Sequence, residues 1–286
     1  SNDLKKRVDY MSDIIKSVIF GVIEGITEWL PISSTGHLII AEEFLRFKDV
    51  SAHFYSVYSV VIQLGAVLAV AAAYFKKLFP LKKEEGKVKL RKDTLNIWQS
   101  IIAGCLPAGV VGILFDDVID AYFYTYKTVS FTLIIYGILF IIVENFKKSC
   151  AAKYELVDEI DGKTALLIGV FQMLSLIPGT SRSGATILGA ILLGVGRTAA
   201  AEFSFFMAIP VMLGASAVKI YDFGFSMSAY EIAVLLVGFL VSFAVSLIVV
   251  KNLIKFVKTH SFSSFGVYRI LLGAAVLIYF TFKFKS

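Results

Sequence analysis

Glu24-Gly-Ile-Thr-Glu-Trp-Leu-Pro-Ile-Ser-Ser-Thr-Gly-His37 sets two carboxylates, the hydroxyl run Ser33-Ser34-Thr35 and a histidine inside apolar sequence. Each of these groups is costly there. An acidic side chain at the centre of a membrane is unfavourable by roughly 2.5–3.5 kcal/mol. A second polar island, Pro178-Gly-Thr-Ser-Arg-Ser-Gly-Ala-Thr186, answers the first. The flanks of the two islands match. Gly21-Val22-Ile23-Glu24 resembles Gly169-Val170-Phe171-Gln172, and Thr27 aligns with Ser175. Pro31 aligns with Pro178 after a one-residue gap, and Ser34-Thr35-Gly36 with Arg182-Ser183-Gly184. Downstream, Phe54 pairs with Phe203, and Leu64-Gly65-Ala66 with Leu213-Gly214-Ala215. An internal duplication at about half the chain length exceeds solenoid periods of roughly 20–50 residues and points to two fused halves.

Composition sets the class. Of 286 residues, 57% are hydrophobic and 17% charged, with mean hydropathy +0.78, which predicts an all-α polytopic membrane protein. The chain is hydrophilic up to Lys16, and no small-residue cleavage site follows a short apolar run, so no cleavable signal peptide is expected. Cys105 and Cys150 lack metal-site spacing.

A polar lead covers residues 1–12. The first repeat, 13–146, opens with short apolar helices over 13–30 and 34–46, the first stopped by Pro31. Each is too short for a span of about 20 residues, so a re-entrant helix-loop-helix is expected. Irregular backbone at membrane depth is tolerated where it is buried in protein or lines a wet cavity. Spans follow over 55–75, 94–115 (bent at Pro107) and 128–146, with an acidic connection at Asp116, Asp117 and Asp120. A charged linker, 147–163, separates the halves. The second repeat, 164–286, has a re-entrant pair over 164–195 and spans over 199–220, 229–250 and 266–282. Three spans plus a re-entrant pair, or five spans, is an odd number either way, so the second repeat is expected to be inverted.

Lys/Arg bias sets the orientation. Loop 76–93 carries eight Lys/Arg against Glu84, Glu85 and Asp93. Segments 147–163 and 251–265 carry four and three lysines, while loop 221–228 has no Lys/Arg and 116–127 only Lys127. Placing the basic segments inside puts both termini outside, against the mild contrary signal of Lys5, Lys6, Arg7, Lys283 and Lys285. The basic loop lacks aromatic interleaving beyond Phe79 and predicts no nucleic-acid site. Small residues in the spans leave room for helix association, a homodimer included.

Glu24 and Glu28, four apart, share one helix face. Their mutual repulsion is relieved by a shared proton or a cation, and Mg²⁺ or Ca²⁺ suits one or two carboxylates plus substrate phosphate. One of Ser33, Ser34 and Thr35 is expected to cap the next helix. The others remain as phosphate ligands at a helix N-terminus or as a nucleophile beside a base. His37 shares that turn. Arg182, set among Ser181, Ser183, Gly184 and Thr186, offers a planar donor fork matched to phosphate. His53 and His260 read as structural, and Arg197 and Arg269 as interface residues that snorkel. Together the islands describe a phosphate site for a substrate with a lipid tail, in a hydrolase or a transporter.

The two islands resemble the signature motifs of the bacterial undecaprenyl-diphosphatases, the BacA/UppP bacitracin-resistance family. The resemblance runs from Met11 to the C-terminus and includes Val61-Ile-Gln-Leu-Gly-Ala66 and Ala201-Glu-Phe-Ser-Phe205. It implies hydrolysis of undecaprenyl diphosphate to undecaprenyl phosphate and inorganic phosphate, which recycles the lipid carrier of cell-wall synthesis. It also implies a divalent cation and a site on the outer face of the cytoplasmic membrane. It maps the acidic motif to Glu24 and Glu28, the catalytic hydroxyl and histidine to Ser34 and His37, and phosphate binding to Ser181, Arg182 and Thr186. Ser34 as nucleophile, with Glu28 or His37 taking its proton, stands beside His37 or water as the attacking group. A flippase for undecaprenyl phosphate is the rival reading.

Overall fold

The computed structural model describes residues 2–48, 50, 51, 53–84, 87–147, 151–223 and 227–283. Glu85 and Cys150, and the side chains of Lys5, Lys6, Arg7, Asp116, Asp117 and Asp120, lie outside what is described. The described residues form eleven α-helices: α1 Asn2–Thr27, α2 Ser34–Phe44, α3 Phe54–Ala73, α4 Phe75–Leu78, α5 Lys92–Phe123, α6 Tyr126–Lys147, α7 Gly162–Met173, α8 Arg182–Leu192, α9 Arg197–Phe223, α10 Ala229–Val257 and α11 Ser263–Lys283. Six of them, α3, α5, α6, α9, α10 and α11, are long and apolar enough to cross a membrane. The protein is an all-α, multi-pass membrane protein.

Several element ends depart from expectation. The polar lead is helical, because α1 begins at Asn2. That helix stops at Thr27, and the Glu28 N–H closes its last turn on Glu24 O at 3.0 Å. Pro31 disfavours helical backbone at the residue before it, which brings the end forward. Helix α5 continues through Pro107 and the three aspartates to Phe123. Helix α10 absorbs Lys251 and Lys255, running to Val257. Basic residues suit the carbonyl end of a helix. The basic loop folds into α4 and an antiparallel hairpin, β1 Leu81–Glu84 with β2 Lys87–Leu90, in register Leu81↔Leu90 and Glu84↔Lys87.

Hydrogen bonds tie the helix pairs α1–α2 and α7–α8 together, each near one end. At the α1–α2 pair, Lys16 Nζ donates to Arg46 O (2.8 Å) and Lys48 N–H to Asp13 Oδ2 (3.0 Å). At the α7–α8 pair, Tyr154 bridges to Val195 just past α8, while its hydroxyl meets Asp161 and Thr164 at the start of α7. Helix α10 connects these two places. Its first turn reaches Asp13 through Tyr230 (2.8 Å) and Ser51 N through Glu231 (2.9 Å). Its last residue, Val257, shares a cavity with Glu144, Glu155 and Arg197.

Close helix contacts rest on glycine. A Cβ on Gly137 of α6 would come 2.6 Å from Gly266 O of α11, and one on Gly266 would come 2.6 Å from Gly137 O. Gly21 of α1 lies equally close to the α10 backbone at Gly238 O, and Gly169 of α7 to the α5 backbone at Gly104 O. Helix α8, buried from Arg182 to Ile191, sits at the centre. A helix that is covered all round belongs to the core. Replacing Gly137 by Val should lower stability in detergent by about 1–3 kcal/mol through overpacking. Gly109→Ala, at a site with nothing within 4 Å, should leave the melting temperature unchanged or raise it. Equal melting of wild type and Gly137→Val would contradict the α6–α11 packing.

Candidate active site

Each polar island turns through one strained serine. Ser33 has φ 73° and Ser181 φ 72°, the only positive-φ non-glycine residues among those described. Such backbone is unfavourable by about 1–3 kcal/mol and persists only where the surroundings hold it. Each serine caps the helix that follows, Ser33 accepting from Gly36 N–H (3.2 Å) and Ser181 from Gly184 N–H (3.1 Å). Ser33 is therefore the cap of its triplet, which leaves Ser34 free for other contacts.

Ser34 uses that freedom toward Glu28. Its hydroxyl donates to Glu28 Oε2 at 2.8 Å. Glu28 Oε1 receives Arg182 Nη2 at 3.1 Å, and Arg182 Nη1 donates to Ser204 O at 2.7 Å. The ion pair is buried, with side-chain exposures of 7% for Arg182 and 5% for Glu28, so solvent screens it weakly. Ser183 donates to the carbonyls of Glu28 (3.1 Å) and Leu30 (3.2 Å) and meets Ser181 Oγ at 3.1 Å. Thr186 bonds Arg182 O (2.9 Å) and Ser204 Oγ (2.7 Å). Residues 24–37 and 178–186 thus form one network.

Three predicted members stand apart from it: Thr35, His37 and Glu24. Thr35 is half-buried in the first turn of α2 and takes no part. His37 turns away from Ser34, with Nδ1 2.7 Å from Ser33 O and Nε2 2.7 Å from the Tyr268 hydroxyl, on which its ring stacks. The contact to Ser33 O fastens the strained cap.

Unpartnered polar atoms mark the centre. Both Glu24 carboxyl oxygens and Arg182 Nε are buried without a hydrogen-bond partner. Most buried polar groups are satisfied, so such atoms need an explanation. Gln172, which the duplication sets opposite Glu24, is likewise buried with its amide unpartnered. Among the described residues no group of three or more His, Cys, Asp or Glu could hold a metal. A cation here would have the unpartnered Glu24 carboxyl oxygens, the already engaged Glu28, and otherwise ligand and water oxygens. That donor set fits a hard divalent ion.

Arg269 departs most from the sequence reading. It is fully buried, not at an interface. It donates to Pro31 O (3.0 Å) on the first island and to Gly179 O (3.0 Å) and Thr180 O (2.9 Å) on the second, and lies over the Tyr136 ring. One guanidinium therefore clips both turns. Gly266, Arg269 and Gly273 form the buried stripe of α11, so small-residue spacing around an intramembrane arginine was the available signal. Ser204 was missed as well. It lies in Ala201-Glu-Phe-Ser-Phe205, where Glu202 is the residue that draws the eye. Arg197 is ion-paired to Glu144 (Nη2–Oε2 2.5 Å), and Glu202 to Lys77 (2.6 Å). Arg269→Lys keeps the charge but cannot reach carbonyls on both turns. It should destabilise the protein by at least about 2–3 kcal/mol, since buried acceptors lose their donors. Unchanged thermal unfolding in detergent would refute the clip.

The bacitracin resistance protein BacA family matches residues 17–275. The chain is 52% identical over 270 residues to the undecaprenyl-diphosphatase of Acetivibrio thermocellus, covering 94% of this chain and 98% of that one. It is 52% identical to that of Desulfitobacterium hafniense, with 94% and 96% covered, and 50% identical to that of Enterococcus faecalis, with 93% and 96% covered. With both polar islands inside the matched region, the chain belongs to the bacitracin resistance protein BacA family.

Proposed function

We propose that this protein is an integral-membrane hydrolase that converts undecaprenyl diphosphate to undecaprenyl phosphate and inorganic phosphate, returning the lipid carrier to cell-wall synthesis and conferring bacitracin resistance. The observation that carries the chemistry is the Ser34 hydroxyl donating to Glu28 Oε2 at 2.8 Å beside Arg182. A hydroxyl on a carboxylate has the geometry of a nucleophile with its base.

In this reading Arg182 and the N-terminal N–H groups of α2 and α8 hold the terminal phosphoryl group. Ser34 Oγ attacks phosphorus and its proton passes to Glu28. The bond between phosphorus and the bridging oxygen breaks, and undecaprenyl phosphate leaves. Water then hydrolyses the phosphoserine and releases inorganic phosphate. Thr186, Ser181 and Ser183 orient the fork of Arg182 and the turn that carries it. His37, with both ring nitrogens engaged, steadies the Ser33 cap and through it Ser34. A divalent cation, Mg²⁺ or Ca²⁺, held by Glu24 with Glu28, would neutralise charge on the diphosphate. Positioning and charge stabilisation supply most of the rate in phosphoryl transfer.

The architecture in this reading is an inverted repeat, 13–146 and 164–286 about the linker 147–163, with α1–α2 and α7–α8 as re-entrant pairs. Support comes from the hydrogen bonds that tie each pair together, at opposite ends of α10. The crossed packing of α1 on α10 and α7 on α5 also supports it. With the basic hairpin and the end of α10 in the cytoplasm, the first pair enters from the outer face of the cytoplasmic membrane. The lipid diphosphate then reaches the site from that side.

Phosphate release from undecaprenyl diphosphate by purified protein tests the proposal. Release in Mg²⁺ or Ca²⁺, abolished by chelator and reduced by about 10³-fold or more in Ser34→Ala, is expected. Glu24→Gln should shift the metal dependence to higher concentration. Folded wild type that binds undecaprenyl phosphate yet releases no phosphate would instead support a flippase.

A further inference from the structure

An apolar groove of ≈ 390 Å³ lies beside the candidate site, lined by Ile23 of α1, His37, Ile40, Ala41, Phe44 and Leu45 of α2 and its flank, and Leu272 of α11. This is a typical size for a small-ligand pocket, about 300–1,000 Å³. Its wall is hydrocarbon except at one end, where His37 stands. Contacts between α2 and α11 lie on either side of it. At one end His37 stacks on Tyr268 and bonds its hydroxyl. At the other, Phe44 packs on Tyr279 at 5.6 Å, and Glu43 pairs with Lys283. Between these contacts the two helices leave an open slot that Ile23 of α1 also lines. His37 belongs both to the slot and to the turn that holds Ser33 and Ser34. His37 follows Ser34 by three residues on α2, which sets the slot one helical turn along that helix from the serine.

We infer that the slot between α2 and α11 receives the proximal isoprene units of the substrate's tail, with His37 and Tyr268 at the boundary between headgroup and hydrocarbon. This rests on the hydrolase reading above and deepens it. The chemistry of the two ends is matched: polar donors and a guanidinium for the diphosphate, branched aliphatic walls for methyl-branched carbon. Ile40 and Leu272 face the slot from different helices, so they are specificity residues for the tail and stand outside the reacting groups.

Two measurements test this. In the first, Ile40→Trp and Leu272→Trp narrow the slot from either side, with Ile135→Trp on an exposed face of α6 as control. Phosphate release is followed with undecaprenyl diphosphate and with a C15 prenyl diphosphate. The expected result is a KM raised about tenfold in both slot variants for both substrates, kcat within about twofold of wild type, and an unchanged control. Unaltered KM in well-folded slot variants, or an equal rise in the control, would overturn the inference. In the second, a prenyl diphosphate carrying a photoreactive group on its first isoprene unit is crosslinked to wild-type protein and the labelled peptides are mapped. Label on Ile40, Ala41 or Leu272, competed by unlabelled prenyl diphosphate, is expected. Label elsewhere, or slot label that a headgroup-free prenyl alcohol competes equally well, would mean that the slot holds ordinary membrane lipid. The crosslink reads out without turnover. Absent hydrolysis with correct labelling would thus remove the hydrolase reading and leave the tail site standing.

Discussion

The buried pair of Glu28 and Arg182 is the contact on which the rest depends. Two opposite charges with exposures of 5% and 7% cannot be left single inside this protein. Removing one partner of a buried pair is unfavourable by roughly 3–5 kcal/mol, because it strands the other. The pair joins residues 154 positions apart, one from each polar island. It therefore requires the ends of α1 and α8 to meet, and that meeting brings Ser34, Ser183 and Thr186 into one network. Arg269 supports the same junction from the side, through carbonyls that the broken helices leave unpaired. Strain at Ser33 and Ser181 is held in place by these contacts.

The glycines serve the same end. The helix pairs α1–α2 and α7–α8 each carry one strained polar turn. They gain their hold by lying directly on the backbones of spans from the other half: Gly21 against Gly238, and Gly169 against Gly104. Each half thus supplies the floor on which the other half's polar turn rests. Without a hydrophobic drive between helices in lipid, such close packing is the main source of association. A rigid frame of this kind keeps a serine, a carboxylate and a guanidinium in register without help from solvent.

Much of this was legible in the chain. The six spans, the two islands and their duplication follow from hydropathy and self-similarity, and Glu28, Ser34 and Arg182 from polar residues in an apolar setting. What was hidden depends on tertiary contact. Arg269 looks like an interface residue until α6 covers its side of α11. The direction of His37 depends on Tyr268, 231 residues away. The hairpin at Leu81–Leu90 is masked by lysines that dominate its composition, and α5 and α10 run past their apolar stretches because no breaker stops them. Ser204 contributes mainly a backbone carbonyl to Arg182, a contribution without a side-chain signature.

In the proposed mechanism Glu28 and Arg182 make the two islands one catalytic unit. A double-mutant cycle tests it most directly, with kcat/KM for phosphate release measured in wild type, Glu28→Gln, Arg182→Gln and the double variant. If the pair works as a unit, the double variant should lose about as much as the worse single variant, with a coupling energy of about 2–3 kcal/mol. Losses that add to within about 0.3–0.5 kcal/mol would mean that the two residues act independently, and the single-site account would be wrong.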